Sequence, residues 1–130
     1  MVSFGRSKLV LAGLLLSLAS AFVGVQAKGP VLVDSPTPVS VVQLPAEGAV
    51  VYRLIHQGGP FKFDKDGSVF GNRERLLPRQ TRGYYREYTV ATPGLNHRGA
   101  RRIVCGGPPR TPDTCFYTAD HYDSFRKIVP

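Results

Sequence analysis

Residues 82–103 read RGYYREYTVATPGLNHRGARRI, and this stretch sets both the fold and the chemistry. Its aromatic and β-branched half, 84–92, predicts a strand. Pro93 and Gly94 turn the chain, and a further strand is expected over 98–105. Period-two alternation puts Tyr85, Glu87 and Thr89 on one face of the first strand and Tyr84, Arg86, Tyr88 and Val90 on the other. On the second, Arg98, Ala100, Arg102 and Val104 share a face. If the two strands are neighbours, one carboxylate meets two guanidiniums. Four residues span about 13 Å of ideal strand, so both arginines reach one anion only if their side chains converge or Gly99 permits a bulge. Charge spacing alone favours a surface ion-pair ladder on a solvated sheet face.

Outward from this ribbon, the elements are short. Toward the N-terminus, 68–73 reads as a strand after the Lys65-Asp66-Gly67 turn. A single helix is signalled over 45–57, with Pro45 suited to its first position, Glu47 in its first turn and Gly58-Gly59-Pro60 ending it. Toward the C-terminus, strands are expected over 114–119 and 124–129, separated by the tight Asp120-His121-Tyr122-Asp123 connection. One helix followed by a meander of strands implies an α+β fold, the helix packed on one face of an antiparallel sheet.

The N-terminal end has a different character. Arg6 and Lys8 precede an apolar run over 9–25, and Val25-Gln26-Ala27 resembles a cleavage site, so residues 1–27 are expected to be a secretory signal removed before Lys28. An uncleaved anchor is the lesser alternative, because the run is broken by Gly13, Ser17, Ser20 and Gly24 and lacks a basic stop-transfer cluster. Residues 28–43, with Pro30, Pro36 and Pro38, read as an extended arm, part of it able to pack on the domain. Residues 44–130 are the expected domain. A secreted or periplasmic chain with an even cysteine count favours pairing Cys105 with Cys115. The formal net charge of +8 over 130 residues points to polyanionic partners, nucleic acid or anionic surfaces. Two cysteines without a suitably spaced His pair make no tetrahedral zinc site.

His121 tips the balance away from a surface ladder. A meander can return it beside Glu87 and the arginines, whereas His56 and His97 read as ordinary surface residues. A carboxylate, an imidazole and two guanidiniums are sufficient for metal-free RNA transesterification.

The segments 69–74 (VFGNRE), 84–90 (YYREYTV), 92–94 (TPG), 98–103 (RGARRI) and 120–122 (DHY) together resemble the small secreted microbial guanyl-specific ribonucleases, to which barnase also belongs. The likeness runs over about 58–128 with the motifs in order and spacing. It implies an endoribonuclease that cleaves single-stranded RNA after guanosine through a 2′,3′-cyclic phosphate, without metal or cofactor. Glu87 matches the general base, His121 the general acid, and Arg98 and Arg102 the phosphate-binding pair. Glu74 matches the carboxylate that accepts from guanine N1–H and the exocyclic amine. Backbone N–H groups of Asn72 and Arg73 match those that bind O6, and Phe70 and Tyr122 are candidates to pack or stack around the substrate. Without the resemblance Glu74 would read as an exposed charge and Phe70 as plain core. Arg86 and Arg101 are expected to be supporting charges that raise affinity for RNA. The resemblance further implies a monomer with no stable membrane association after cleavage, open to an acidic barstar-like inhibitor. A non-catalytic polyanion-binding module on the same fold is the alternative, and the intact set of four residues argues against it.

Overall fold

A computed structural model describes residues 36–130; the expected signal segment and the first part of the arm lie outside the described residues. The elements are β1 (Val39–Ser40), a 3-10 turn (Val41–Gln43), α1 (Ala46–Gln57), β2 (Ser68–Val69), β3 (Tyr85–Thr89), β4 (Arg102–Gly106), β5 (Thr114–Thr118) and β6 (Arg126–Val129). They form one sheet in the order β1-β6-β5-β4-β3-β2, with the helix packed against β4. The fold is α+β. From β2 to β6 it is the expected antiparallel meander.

Several expectations need correction. β1 was not anticipated as a strand. Its two residues pair parallel to β6, Val39 opposite Ile128 and Ser40 opposite Val129, so the sheet is mixed. Val39 is 2% exposed, and a two-residue edge strand beside Pro38 is what a proline-rich segment can contribute. The segment expected to be a strand over 68–73 leaves the sheet after Val69, because Asn72 turns into the left-handed region at φ 50°. The strand expected over 98–105 begins only at Arg102, so Arg98 stands in the preceding loop.

The helix ends as the sequence dictates. Gly58 adopts φ 84°, a conformation that glycine reaches without a Cβ clash. This lets the Gly58 and Gly59 N–H groups donate to the Ile55 and Leu54 carbonyls. Pro45 sits one position earlier than expected, as the residue preceding the first helical turn.

Strand alternation sorts the interior into two clusters. On the helix side, Tyr88, Ile103, Cys105, Cys115, Tyr117 and Ile128 pack with Ile55, Leu44, Val39 and Val90. On the opposite side, Leu77, Tyr85, Val104 and Phe125 pack with Phe70, Tyr84, Phe116 and Tyr122. Cys105 and Cys115 are bonded to each other and face each other directly across β4 and β5 on the helix side. Arg86 and Arg101 belong to this side too, which corrects their expected role. The Arg101 guanidinium donates to the Ala91 carbonyl and pairs with Glu47 of the helix at 3.4 Å, and Arg86 donates to the Gly67 carbonyl at 2.8 Å. Both are spent on structure, on the face away from Glu87. Among the described residues no helix is long and apolar enough to cross a membrane.

Candidate active site

The register of the central strands assembles the site. Glu87 lies opposite Val104, and Thr89 opposite Arg102, so Glu87, Thr89 and Arg102 share the face away from the helix. Arg98 reaches the same place from its loop. Gly99, at φ 62°, reverses the chain between the two arginines in a conformation costly for other residues, so they converge without having to span a strand. A Cβ at this position would also lie 3.1 Å from the Thr92 hydroxyl.

Glu87 is held from both sides. Its Oε1 accepts from Arg98 Nη2 at 2.9 Å, and its Oε2 accepts from the Tyr122 hydroxyl at 2.7 Å. Its side chain is 16% exposed, enough to meet a ligand from the cleft above it. Arg98 is oriented in turn, since its Nε donates to Thr89 Oγ1 at 2.9 Å. Two charge-assisted bonds fix the carboxylate plane more narrowly than one.

Arg102 is 2% exposed and pairs with no carboxylate among the described residues. Its Nη1 donates to the carbonyls of Gly99 at 2.9 Å and Arg101 at 2.8 Å, and more weakly to that of Arg98. Its Nε is buried without a partner. A buried guanidinium satisfied only in part, and by neutral acceptors, carries a desolvation cost that an anionic ligand relieves. The guanidinium also lies over the Tyr122 ring, 6.0 Å from its centroid.

His121 and Tyr122 occupy consecutive left-handed positions, φ 53° and 72°. Such positions cost free energy for residues with a Cβ and persist only when their surroundings over-determine them. Here Asp120 does so: its Oδ1 accepts from Thr118 Oγ1 at 2.8 Å and from the Ser124 N–H at 3.0 Å, and its Oδ2 accepts from the Ser124 hydroxyl at 2.6 Å. The His121 N–H donates to the Ala100 carbonyl, tying this turn to the arginine loop. Burial pushes the Asp120 carboxyl up, but the bonds from Ser124 and Thr118 outweigh it and hold the group below its ordinary value. The Tyr122 phenol is pushed up to about 12, first by burial and then by its bond to Glu87 and that carboxylate's charge, with Arg102 opposing. It therefore stays a donor to Glu87 at every physiological pH.

Glu87, His121 and Tyr122 line one cleft of about 470 Å³ with Phe70, Asn72, Arg73 and Glu74. The far wall of the cleft is the loop after β2. Asn72 fastens it, its side chain donating to the Leu77 carbonyl at 3.0 Å and accepting from the Leu77 N–H at 3.2 Å. The N–H groups of Asn72 and Arg73 have no protein acceptor among the described residues. Glu74 is exposed at the rim. Phe70 satisfies both of its readings. Its ring packs on Phe125, and it stands 4.8 Å from that of Tyr122, forming part of the cleft wall.

The sequence reading placed Tyr122 as a stacking residue and missed its hydroxyl as a partner of Glu87. It also missed Thr89 as the residue that orients Arg98. The Thr89 signal was available in its alternation with Glu87; that of Tyr122 depends on a left-handed turn that side-chain patterning does not encode. Chemically, the arrangement offers a fixed carboxylate and an imidazole lining the same cleft, with one guanidinium bonded to that carboxylate and a second buried beside Tyr122.

Comparison with known proteins agrees. Residues 28–129 match the family model described as ribonuclease. The chain is 50% identical over 91 residues to guanyl-specific ribonuclease St of Saccharopolyspora erythraea, covering 70% of this chain and 86% of that protein. It is 47% identical over 95 residues to guanyl-specific ribonuclease Sa of Kitasatospora aureofaciens, covering 73% and 96%. Among solved structures, ribonuclease Sa2 complexed with mononucleotides superposes with a TM-score of 0.67 at 41% identity, over 72% of this chain and 94% of that one. The same enzyme with guanosine-2′-cyclophosphate gives a TM-score of 0.65 at 40% identity, over 72% and 96%. With its fold and most of its length in common with these enzymes, the chain belongs to the ribonuclease family.

Proposed function

We propose that the protein is an exported endoribonuclease that cleaves single-stranded RNA after guanosine. Glu87 takes the proton from the ribose 2′-OH as the 2′-oxygen attacks the adjacent phosphorus. His121 protonates the 5′-oxygen as its bond to phosphorus breaks, leaving a 2′,3′-cyclic phosphate and a free 5′-hydroxyl. Water then opens the ring to a 3′-phosphate, with the acid and base roles exchanged. Arg98 and Arg102 neutralise the additional charge on the pentacoordinate phosphorus, for which planar forks are suited. The observation that carries this reading is Glu87, clamped between Arg98 and Tyr122 at the base of a cleft that His121 also lines.

Guanine selection is assigned to the loop after β2. Glu74 accepts from N1–H and the exocyclic amine, and the free N–H groups of Asn72 and Arg73 donate to O6. Adenine presents neither pattern. Phe70 and Tyr122 flank the base and ribose. Residues 1–27 serve as the export leader in this reading, and the mature chain acts as a monomer. The chain's net positive charge suits an acidic, barstar-like protein inhibitor.

Digestion of a defined RNA by the purified protein, with the 3′ ends mapped, tests the proposal. Cuts after guanosine ending in cyclic or 3′-phosphate are expected. Binding without cleavage would replace it with the polyanion-binding module. Cuts after every base would retain the reaction and remove the role given to Glu74.

A further inference from the structure

A second cavity, of about 560 Å³, lies beyond the guanine-loop wall and is lined by Arg73, Arg75, Arg79 and Arg82 together with Tyr85. No acidic residue lines it. Residues 36–130 contain eleven arginines, and six of them donate side-chain hydrogen bonds to protein acceptors. Four of the remaining five converge on this one groove, all of them exposed. Like charges gathered in one concavity repel one another, and nothing among the described residues neutralises them.

The groove is built on a fastened loop. The paired bonds between Asn72 and Leu77 close its first half. Leu77 is 3% exposed beneath it, and the Tyr85 hydroxyl donates to the Pro78 carbonyl at 2.6 Å. Arg73 and Arg75 precede this anchorage, and Arg79 and Arg82 follow it. A fixed backbone carrying four unpaired guanidiniums binds polyanions at a smaller ordering cost than a floppy basic tail.

Its position says which part of a polyanion it meets. The groove and the cleft share the wall formed by residues 69–73. Tyr85, in its floor, is two residues from Glu87 on the same face of β3, about 7 Å away. His121, Glu87 and Tyr122 do not line it. With His121 as the acid for the departing 5′-oxygen, the 3′ strand leaves at its end of the cleft, and the groove, which meets the cleft at residues 69–73, lies at the other, guanine end. We propose that this groove is a phosphate-binding subsite for the RNA strand on the 5′ side of the guanosine. The inference rests on the ribonuclease reading above and adds a contact that the chemistry at Glu87 does not require.

The test compares cleavage of three RNAs: the dinucleotide GpC, the same step extended by three adenosines on its 5′ side, and the same step extended by three on its 3′ side. The double variant R79Q/R82Q leaves Arg73 and the cleft untouched and removes no intramolecular bond. At low salt its kcat/KM on the 5′-extended RNA should fall roughly 10- to 50-fold through KM, and the salt slope should flatten by about 1.4, two phosphate contacts at about 0.7 each. GpC and the 3′-extended RNA should be cleaved as by the parent. A control with equal charge loss elsewhere, R53Q/K127Q, should match the parent on all three. Equal cleavage of the 5′-extended RNA by parent and R79Q/R82Q would overturn the subsite and leave the groove to an acidic protein partner. A loss confined to the 3′-extended RNA, or an equal loss in the control, would overturn it too. Failure of the parent to cut GpC would instead refute the ribonuclease reading itself.

Discussion

Replacing Tyr122 with Phe removes one oxygen from the site and leaves the ring. The ring's packing partner Phe70, 4.8 Å away between centroids, stays in place, so the change isolates the 2.7 Å bond from the hydroxyl to Glu87 Oε2. Hydrogen bonds to charged groups contribute about 1.5–3 kcal/mol, and each 1.4 kcal/mol is tenfold in rate. Because Arg98 still holds Oε1, the carboxylate loses orientation but remains in the cleft. Y122F should therefore lower kcat on GpC by roughly 10- to 100-fold, with KM changed much less. The same substitution has a signature in stability. A phenol raised from 10 to about 12 keeps its proton in the folded protein after the unfolded chain has lost its own. Stability is then fully present below pH 10 and is lost as pH rises from 10 to 12. The variant, with no phenol at 122, should lose less across that window than the parent, as read by urea denaturation at stepped pH. Parental kcat in Y122F would refute the view that Tyr122 positions the base.

Other outcomes follow from the same geometry. The C105A/C115A variant opens a ten-residue separation and should lose roughly 3 kcal/mol of stability on the chain-entropy model. Its activity at low temperature should be near parental, because the bond lies on the helix side of the sheet; a collapse of kcat in the folded variant would contradict that separation. The Asp120 carboxyl is held below its ordinary value, so its contribution is present above the unfolded value near 3.9 and is lost as pH falls through the lower folded one. D120N should therefore narrow the stability loss on acidification, and by loosening the His121-Tyr122 turn should depress kcat; parental kcat would mean that the turn holds itself. Glu74 at the rim gives a third outcome: E74Q should reduce the preference for guanosine over adenosine on paired dinucleotides while cleavage continues, and an unaltered preference would remove Glu74 from base recognition.

Much of this molecule was legible because strand alternation is a strict code. Tyr85, Glu87 and Thr89 could be placed on one face of β3 from spacing alone, and the register puts Arg102 of the neighbouring strand on that same face. Where the code failed, left-handed backbone had replaced strand. Asn72 and Gly99 end or delay strands that apolar and charged patterning would extend, and Gly99 brings Arg98 to Glu87 from a loop. The parallel pairing of β1 with β6 depends on contacts across the whole chain, which a local proline-rich reading does not contain. The different roles of Arg101 and Arg102 were visible in principle, since adjacent strand residues face opposite ways. One braces the helix, and the other stands unpaired with any carboxylate beneath the cleft.

The central claim is that Glu87 is the base, and kinetics of E87Q on GpC test it most directly. The amide keeps the shape of the side chain and its place between Arg98 and Tyr122 but accepts a proton poorly. A fall in kcat of roughly 10²- to 10⁴-fold, with RNA binding retained and the pH profile losing its acidic limb, is the predicted result. Cleavage by E87Q at the parental rate would contradict it.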